Sequence, residues 1–170
     1  MLDQPLAPES THLWQPLTAA DGAAVLALAE LAHPDLPERI DIVTERVRLF
    51  PAGCLKLVHA SRLVAYGIAH PWRLGTAPKL DTLLGALPRE PDCLHLHDVV
   101  VAPAARGRGA AARYFAAMEA VARACRLPAL ALVSVYGTNR LWARSGFVER
   151  AGPDLGGYGP TARYMVRALV

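Results

Sequence analysis

The stretch that most constrains this chain is a strand, a glycine-arginine loop and a helix in immediate succession, "LHLHDVVVAPAARGRGAAARYFAAMEAVARAC", Leu94 to Cys125. Leu94–Val101 is apolar enough for a buried strand, and Phe115, Met118, Ala122 and Cys125 recur at helical spacing, so the helix from Gly109 has a face to lay on a sheet. The first amides of a helix lack intrahelical partners and lie at its positive dipole end, which favours an anion there. Gly107 and Gly109 have no Cβ to obstruct its approach, and Arg106 and Arg108 add forked, permanently charged donors. A pyrophosphate fits this arrangement.

The rest of the chain supplies a scaffold. At 170 residues, 53% of them hydrophobic, it is expected to form one domain over residues 1–170 with a core of its own. No run reaches the roughly 20 apolar residues of a membrane span, and "MLDQPLAPES" has neither the basic start nor the apolar core of a signal peptide, so a cytoplasmic location is expected. Three widely spaced cysteines, Cys54, Cys93 and Cys125, indicate neither a disulfide framework nor a zinc ribbon. The net charge of +3 comes from scattered basic residues with no interleaved aromatics, which does not point to nucleic acid.

Hydropathy patterning reads as mixed α and β. A strand is expected over Thr11–Leu17. Thr18 and Asp21 resemble a capping box before a helix carrying Val25, Leu28, Ala29 and Ala32, and a second helix runs from Pro37 through Ile40, Val43, Val47 and Phe50. "CLKLVHA" and "LVAYGIAH" alternate about a turn at Ser61 and Arg62, as a hairpin does. A Pro-rich connector from Pro71 to Pro91 carries one helical turn in "LDTLLGAL". After the long helix come a strand "ALALVSV", a short helix at Leu141–Arg144 and a final strand in "ARYMVRAL".

Two cofactor classes compete for the loop. "GRGAAA" formally satisfies the dinucleotide fingerprint GxGxxG/A, but five residues separate it from the strand, "ALALVSV" ends without an acidic residue for a ribose, and too little chain remains for a doubly wound sheet. NAD is the weaker choice. Val101-Ala-Pro-Ala-Ala-Arg106-Gly-Arg108-Gly109-Ala-Ala111 instead resembles the acyl-CoA motif Q/R-x-x-G-x-G/A of the GNAT N-acetyltransferases, at Arg106, Gly109 and Ala111. "NRLWARSGF", Asn139 to Phe147, is similar to that family's second signature.

The resemblance implies an α+β fold with a mixed, mostly antiparallel twisted sheet, a splayed strand pair and about four flanking helices. It also implies acetyl-CoA as donor and a primary amine as acceptor, attacked directly in a ternary complex. On this reading the backbone of Val99, Val100 and Val101 pairs with the pantetheine arm. The amides of Arg106, Gly107, Arg108, Gly109, Ala110 and Ala111 hold the pyrophosphate, while Asn139 orders the thioester end and Trp142 walls it. Family members often dimerise, and no feature of the sequence decides this.

Such a reaction needs a base for the ammonium proton and stabilisation of the oxyanion. His95 and His97 share a strand face and are the candidates, His95 falling where several members place a catalytic glutamate; Asp98 is expected to point the other way. Cys93, His95 and His97 alternate as metal ligands could, but no fourth ligand is near, so no metal is expected. The family's tyrosine acid is replaced by Trp142, which cannot supply a proton; Tyr136 or Tyr158 are the substitutes. A module that binds acyl-CoA without turning it over is the alternative.

Overall fold

The computed structural model describes residues 13–169. Seven strands form one sheet in the order β1-β2-β3-β4-β5-β7-β6, with β1 at Gln15–Pro16, β2 at Leu55–His59, β3 at Arg62–Trp72, β4 at Cys93–Val101, β5 at Ala129–Ser134, β6 at Val148–Glu149 and β7 at Arg163–Ala168. Every pairing is antiparallel except β4 with β5. Helices α1 (Gly22–Ala32) and α2 (Ile40–Leu49) cover one face, burying Val25, Leu28 and Val43 against Tyr66, Ile68 and Val100. Helix α3 (Ala110–Ala124) covers the other, placing Tyr114, Phe115, Met118 and Ala122 on Leu94, Leu96, Leu130 and Leu132. Of the expected stripe Phe115, Met118 and Ala122 are buried, with Tyr114 added, whereas Cys125 is exposed because the helix has ended at Ala124.

Tyr114 fixes α3 to the sheet. Its ring lies so close over Gly67 of β3 that a Cβ there would overlap it, and its hydroxyl donates to the Gly53 carbonyl at 2.9 Å. Trp14 packs on the same ring, centroids 5.2 Å apart, and donates to the Ala110 carbonyl at 3.2 Å. The start of α3, and so the loop before it, is held from two sides.

Several local expectations need correction. The hairpin turn falls at Ala60 and Ser61, whose φ values of 46° and 62° match a type I′ turn, rather than at Ser61 and Arg62. Strand β3 runs on through Pro71 and Trp72, shortening the connector, and "LDTLLGAL" forms turns and bends without a helix. Its backbone is instead bound from outside: Glu45 accepts from the Leu84 and Gly85 amides, and Arg39 and Glu38 engage Asp81. The first strand is reduced to Gln15–Pro16, Thr11 and His12 lying outside the described residues. The short helix α4 begins earlier than expected, at Asn139, and ends at Ala143.

Candidate active site

β4 is paired with β3 from Trp72↔Cys93 to Ala65↔Val101, but with β5 only from Leu94↔Leu130 to Leu96↔Leu132. Beyond Leu96 the two strands part. A cavity of about 660 Å³ opens there, lined on the β4 side by His97 to Val101, on the β5 side by Leu132, Val133 and Val135, and at one end by residues of the 105–112 loop. A strand edge without a neighbour presents free N–H and C=O groups, here to the cavity.

The loop end is backbone. Gly107 and Gly109 adopt φ values of 74° and 71°, a region other residues enter at a cost, and Gly109 is the N-cap of α3. Gly107, Gly109, Ala110, Ala111 and Ala112 line the cavity, with Arg106, whose Nε donates to the Val101 carbonyl at 3.1 Å. Arg108 does not line it; its carbonyl accepts from Arg113.

The other end is built from side chains, and a β-bulge organises it. The β3–β4 register shifts between Ile68↔Asp98 and Ala69↔Leu96, leaving His97 as the extra residue. Alternation is thereby broken, and Asp98 turns to the same side as His97, contrary to the expectation from strict alternation. Asp98 accepts from the Tyr66 hydroxyl at 2.5 Å, and His33, at the end of α1, approaches both its carboxylate oxygens at 3.2 Å. His97 Nε2 donates to Glu38 Oε2 at 2.8 Å, and Glu38 Oε1 accepts the Asp81 amide. Two histidine–carboxylate pairs thus stand where the strands separate, and all four residues line the cavity.

Their electrostatics differ. Burial works against charge on Glu38, but the adjoining His97 and the Asp81 amide hold its carboxyl down at about 2. Burial also opposes protonation of His33, and the Asp98 carboxylate outweighs it, leaving the imidazole raised. Behind them, burial, with His97 nearby, pushes His70 down to about 3. His95 is driven well below its ordinary value by complete burial, helped by His70. His70, His95 and His97 form a ring cluster with centroids 5.7 to 6.4 Å apart.

The remaining candidates divide. Tyr136 lines the cavity mouth, half exposed at φ 52°; its hydroxyl accepts from the Asp35 amide and donates to Asp35 Oδ2, both at 3.3 Å. Trp142 lines the wall, packed 5.2 Å from Phe115, with Nε1 donating to Thr138 Oγ1. Tyr158 is buried and lines the cavity, and its hydroxyl donates to the Pro78 carbonyl. His95 is 1% exposed and does not line the cavity, and Asn139 does not line it either; Thr138 stands at that point instead. Cys93 is buried beside Ala131 and Tyr164, its thiol pushed up to about 12 by burial. Among the described residues no group of three or more His, Cys, Asp or Glu side chains is arranged to hold a metal ion. Sequence reasoning missed His33, Glu38 and the role of Asp98, since only the fold brings the α1–α2 segment to β4.

Residues 24–147 match the acetyltransferase (GNAT) family. The chain belongs to that family. No curated protein matches it. Among solved structures, Ard1 from Thermoplasma volcanium is similar with a TM-score of 0.73 at 13% identity, covering 95% of this chain and 99% of that one. GphF, a GNAT-like decarboxylase in complex with isobutyryl-CoA, aligns with a TM-score of 0.69 at 19% identity over 92% and 99% of the two chains. N-acetylglutamate synthase from Neisseria gonorrhoeae, complexed with coenzyme A and N-acetyl-glutamate, gives 0.69 at 18% identity, over 96% of this chain and 36% of that one. These likenesses agree with the seven-stranded mixed sheet and the four helices described above. Among the described residues no helix is long and apolar enough to cross a membrane.

Proposed function

We propose that this chain is an acyl-CoA-dependent N-acyltransferase that moves an acetyl group from acetyl-CoA to a primary amine. The observation that carries the reading is the parting of β4 from β5 after Leu96, with a glycine-rich helix start at one end of the opening and two histidine–carboxylate pairs at the other. The residues present fit the donor. The exposed edge of Val99, Val100 and Val101 suits the amide groups of a pantetheine arm, and the 106–111 amides with Arg106 suit its diphosphate. The family membership and the CoA and isobutyryl-CoA found with similar structures support the same assignment.

In this reading the amine nitrogen bonds to the acetyl carbon, the carbon–sulfur bond breaks, and CoA leaves as the thiolate or the thiol. His97 takes the ammonium proton, its ring fixed by Glu38. His95, buried behind it, serves as a neutral support. Tyr136 is the acid candidate at the mouth, with Trp142 as wall, its N–H committed to Thr138. Trp142 in place of the expected tyrosine favours a second reading, an acyl-CoA binder without turnover, because an indole supplies no proton for the departing thiolate.

Calorimetric titration with acetyl-CoA, with NAD as control, tests the assignment. Micromolar binding of acetyl-CoA and none of NAD is expected; folded protein that binds neither overturns it. Amine-dependent release of free thiol then separates the enzyme from the binder.

A further inference from the structure

Resting on the acyltransferase reading, we infer that the acceptor is a small apolar primary amine that carries no carboxylate, rather than an amino acid or a polypeptide terminus. The end of the cavity away from the loop offers hydrogen-bond acceptors and almost no uncommitted donors. Asp98 and Glu38 contribute carboxylate oxygens. His97 points Nε2 at Glu38, which makes Nε2 the donor and leaves Nδ1 as a lone pair in the neutral ring; that Nδ1 is buried and has no partner among the described residues, while His33 turns its Nε2 to Asp98. The His97 side chain is itself only 1% exposed. The hydroxyls of Tyr66 and Tyr158 are spent on Asp98 and Pro78, and that of Tyr136 on Asp35.

An ammonium group, a donor with no acceptor, complements such a wall; a carboxylate is another acceptor and does not. Charge says the same. Among the described residues Arg106 is the single Arg or Lys side chain lining the cavity, and it stands at the loop end. Arg46, near enough to bias Glu38, is fully buried, paired with Glu45, and does not reach the cavity. With the imidazoles neutral this end is anionic, and with both protonated it is balanced; in neither state does it attract an anion.

The walls restrict the remainder of the acceptor. Ala32, Leu36 and Leu80, all half-buried, line the same cavity as the carboxylates. The α1–α2 segment is tied across the opening by the Asp35–Tyr136 contacts, and the connector is tied down through Asp81 and Pro78. A short alkyl chain fits that lining, whereas a peptide would need the ties released.

Pentylamine and norleucine, the same amine with an α-carboxylate, make a matched pair, with a short unblocked peptide as the third probe. Thiol release from acetyl-CoA and calorimetric binding to the CoA-saturated protein are read for each. The expected result is that pentylamine is favoured over norleucine and the peptide by at least about tenfold in kcat/KM and in affinity. Asp98→Asn should raise KM for pentylamine more than it lowers kcat, with acetyl-CoA affinity unchanged. Because that variant could lose the Tyr66 and His33 contacts and fold poorly, Leu80→Arg is the second: a cation in the wall should narrow or reverse the preference for pentylamine over norleucine. Equal or better use of norleucine or peptide by the wild type overturns the inference, as does binding of acetyl-CoA with no response to any of the three. Failure to bind acetyl-CoA at all instead overturns the acyltransferase reading on which it rests.

Discussion

At the loop end of the cavity the ligand-facing groups are mostly backbone from one stretch, Ala105 to Ala112. At the far end they are side chains brought from the α1–α2 segment, the connector, β4 and the turn at Gly156–Tyr158. The first end is held by a helix anchored through Tyr114 and Trp14 and depends on glycine conformation and a helix dipole. The second depends on a bulge, on paired titratable groups and on neutral imidazoles packed behind them. A backbone site tolerates most substitutions that leave its glycines alone; a side-chain site is as specific as the segments that converge on it. On the proposed function the first end takes the donor and the second the acceptor.

The largest effect should come from an anion placed in the backbone end. Ala112 is exposed on the first turn of α3 and lines the cavity, so Ala112→Glu leaves the core intact and suits the helix dipole. A carboxylate near the diphosphate costs about 3–4 kcal/mol at protein-surface dielectric, so acetyl-CoA affinity should fall by about a hundredfold or more with thermal stability unchanged. Calorimetry alongside a melting curve checks both.

Next in size is the anchor behind that end. Gly67→Ala puts a methyl group against the Tyr114 ring, which must shift and carry the start of α3 with it. Overpacking of this kind costs about 1–3 kcal/mol, to be read by denaturant titration, and acetyl-CoA affinity should weaken with it. If stability falls while affinity holds, the loop is not positioned through Tyr114.

The side-chain end should show itself in acid. His70 is held at about 3 against an ordinary 6.5, so the unfolded chain takes up its proton first as pH falls. Stability present above 6.5 is therefore lost between 6.5 and about 3, at about 1.4 kcal/mol per pH unit for each such proton, with His95 acting in the same direction. Glu38, depressed to about 2, adds a loss below 4.5. His33 works oppositely: its raised value stabilises at low pH and that contribution fades as pH rises through it. His70→Phe should flatten the acid slope by about one proton in denaturation curves collected across pH. An unchanged slope would mean that the buried rings do not set it.

The smallest effect is expected at the shared wall. Trp142→Phe removes one N–H already committed to Thr138, worth about 0.5–1.5 kcal/mol of stability, and should leave kcat within about twofold. A much larger drop in kcat would make the indole a participant in the chemistry.

The same division governed what could be read from sequence. The loop was legible because its glycines, arginines and helix start are contiguous and each acts through local geometry. The hairpin, the long helix and the alternation of β4 before the bulge were legible for the same reason. The bulge was not, because one extra residue in a strand leaves no mark on hydropathy, and it reversed the expected direction of Asp98. Hydropathy marks only the end of one helix and a second expected from Pro37, whereas α2 begins at Ile40 and the freed segment lets His33 and Glu38 meet residues 65 and 59 positions away. "LDTLLGAL" had helical spacing, but Glu45, Glu38 and Arg39 offered its backbone and Asp81 better partners.

The central claim is that the gap between β4 and β5 receives the pantetheine arm. Hydrogen exchange of the protein with and without acetyl-CoA tests it most directly, since exposed strand amides that gain partners exchange more slowly. Protection should rise in peptides spanning residues 97–101 and 106–112, with β2 and the N-terminal half of β3 unchanged. Binding of acetyl-CoA that leaves residues 97–101 exchanging as before would contradict the account.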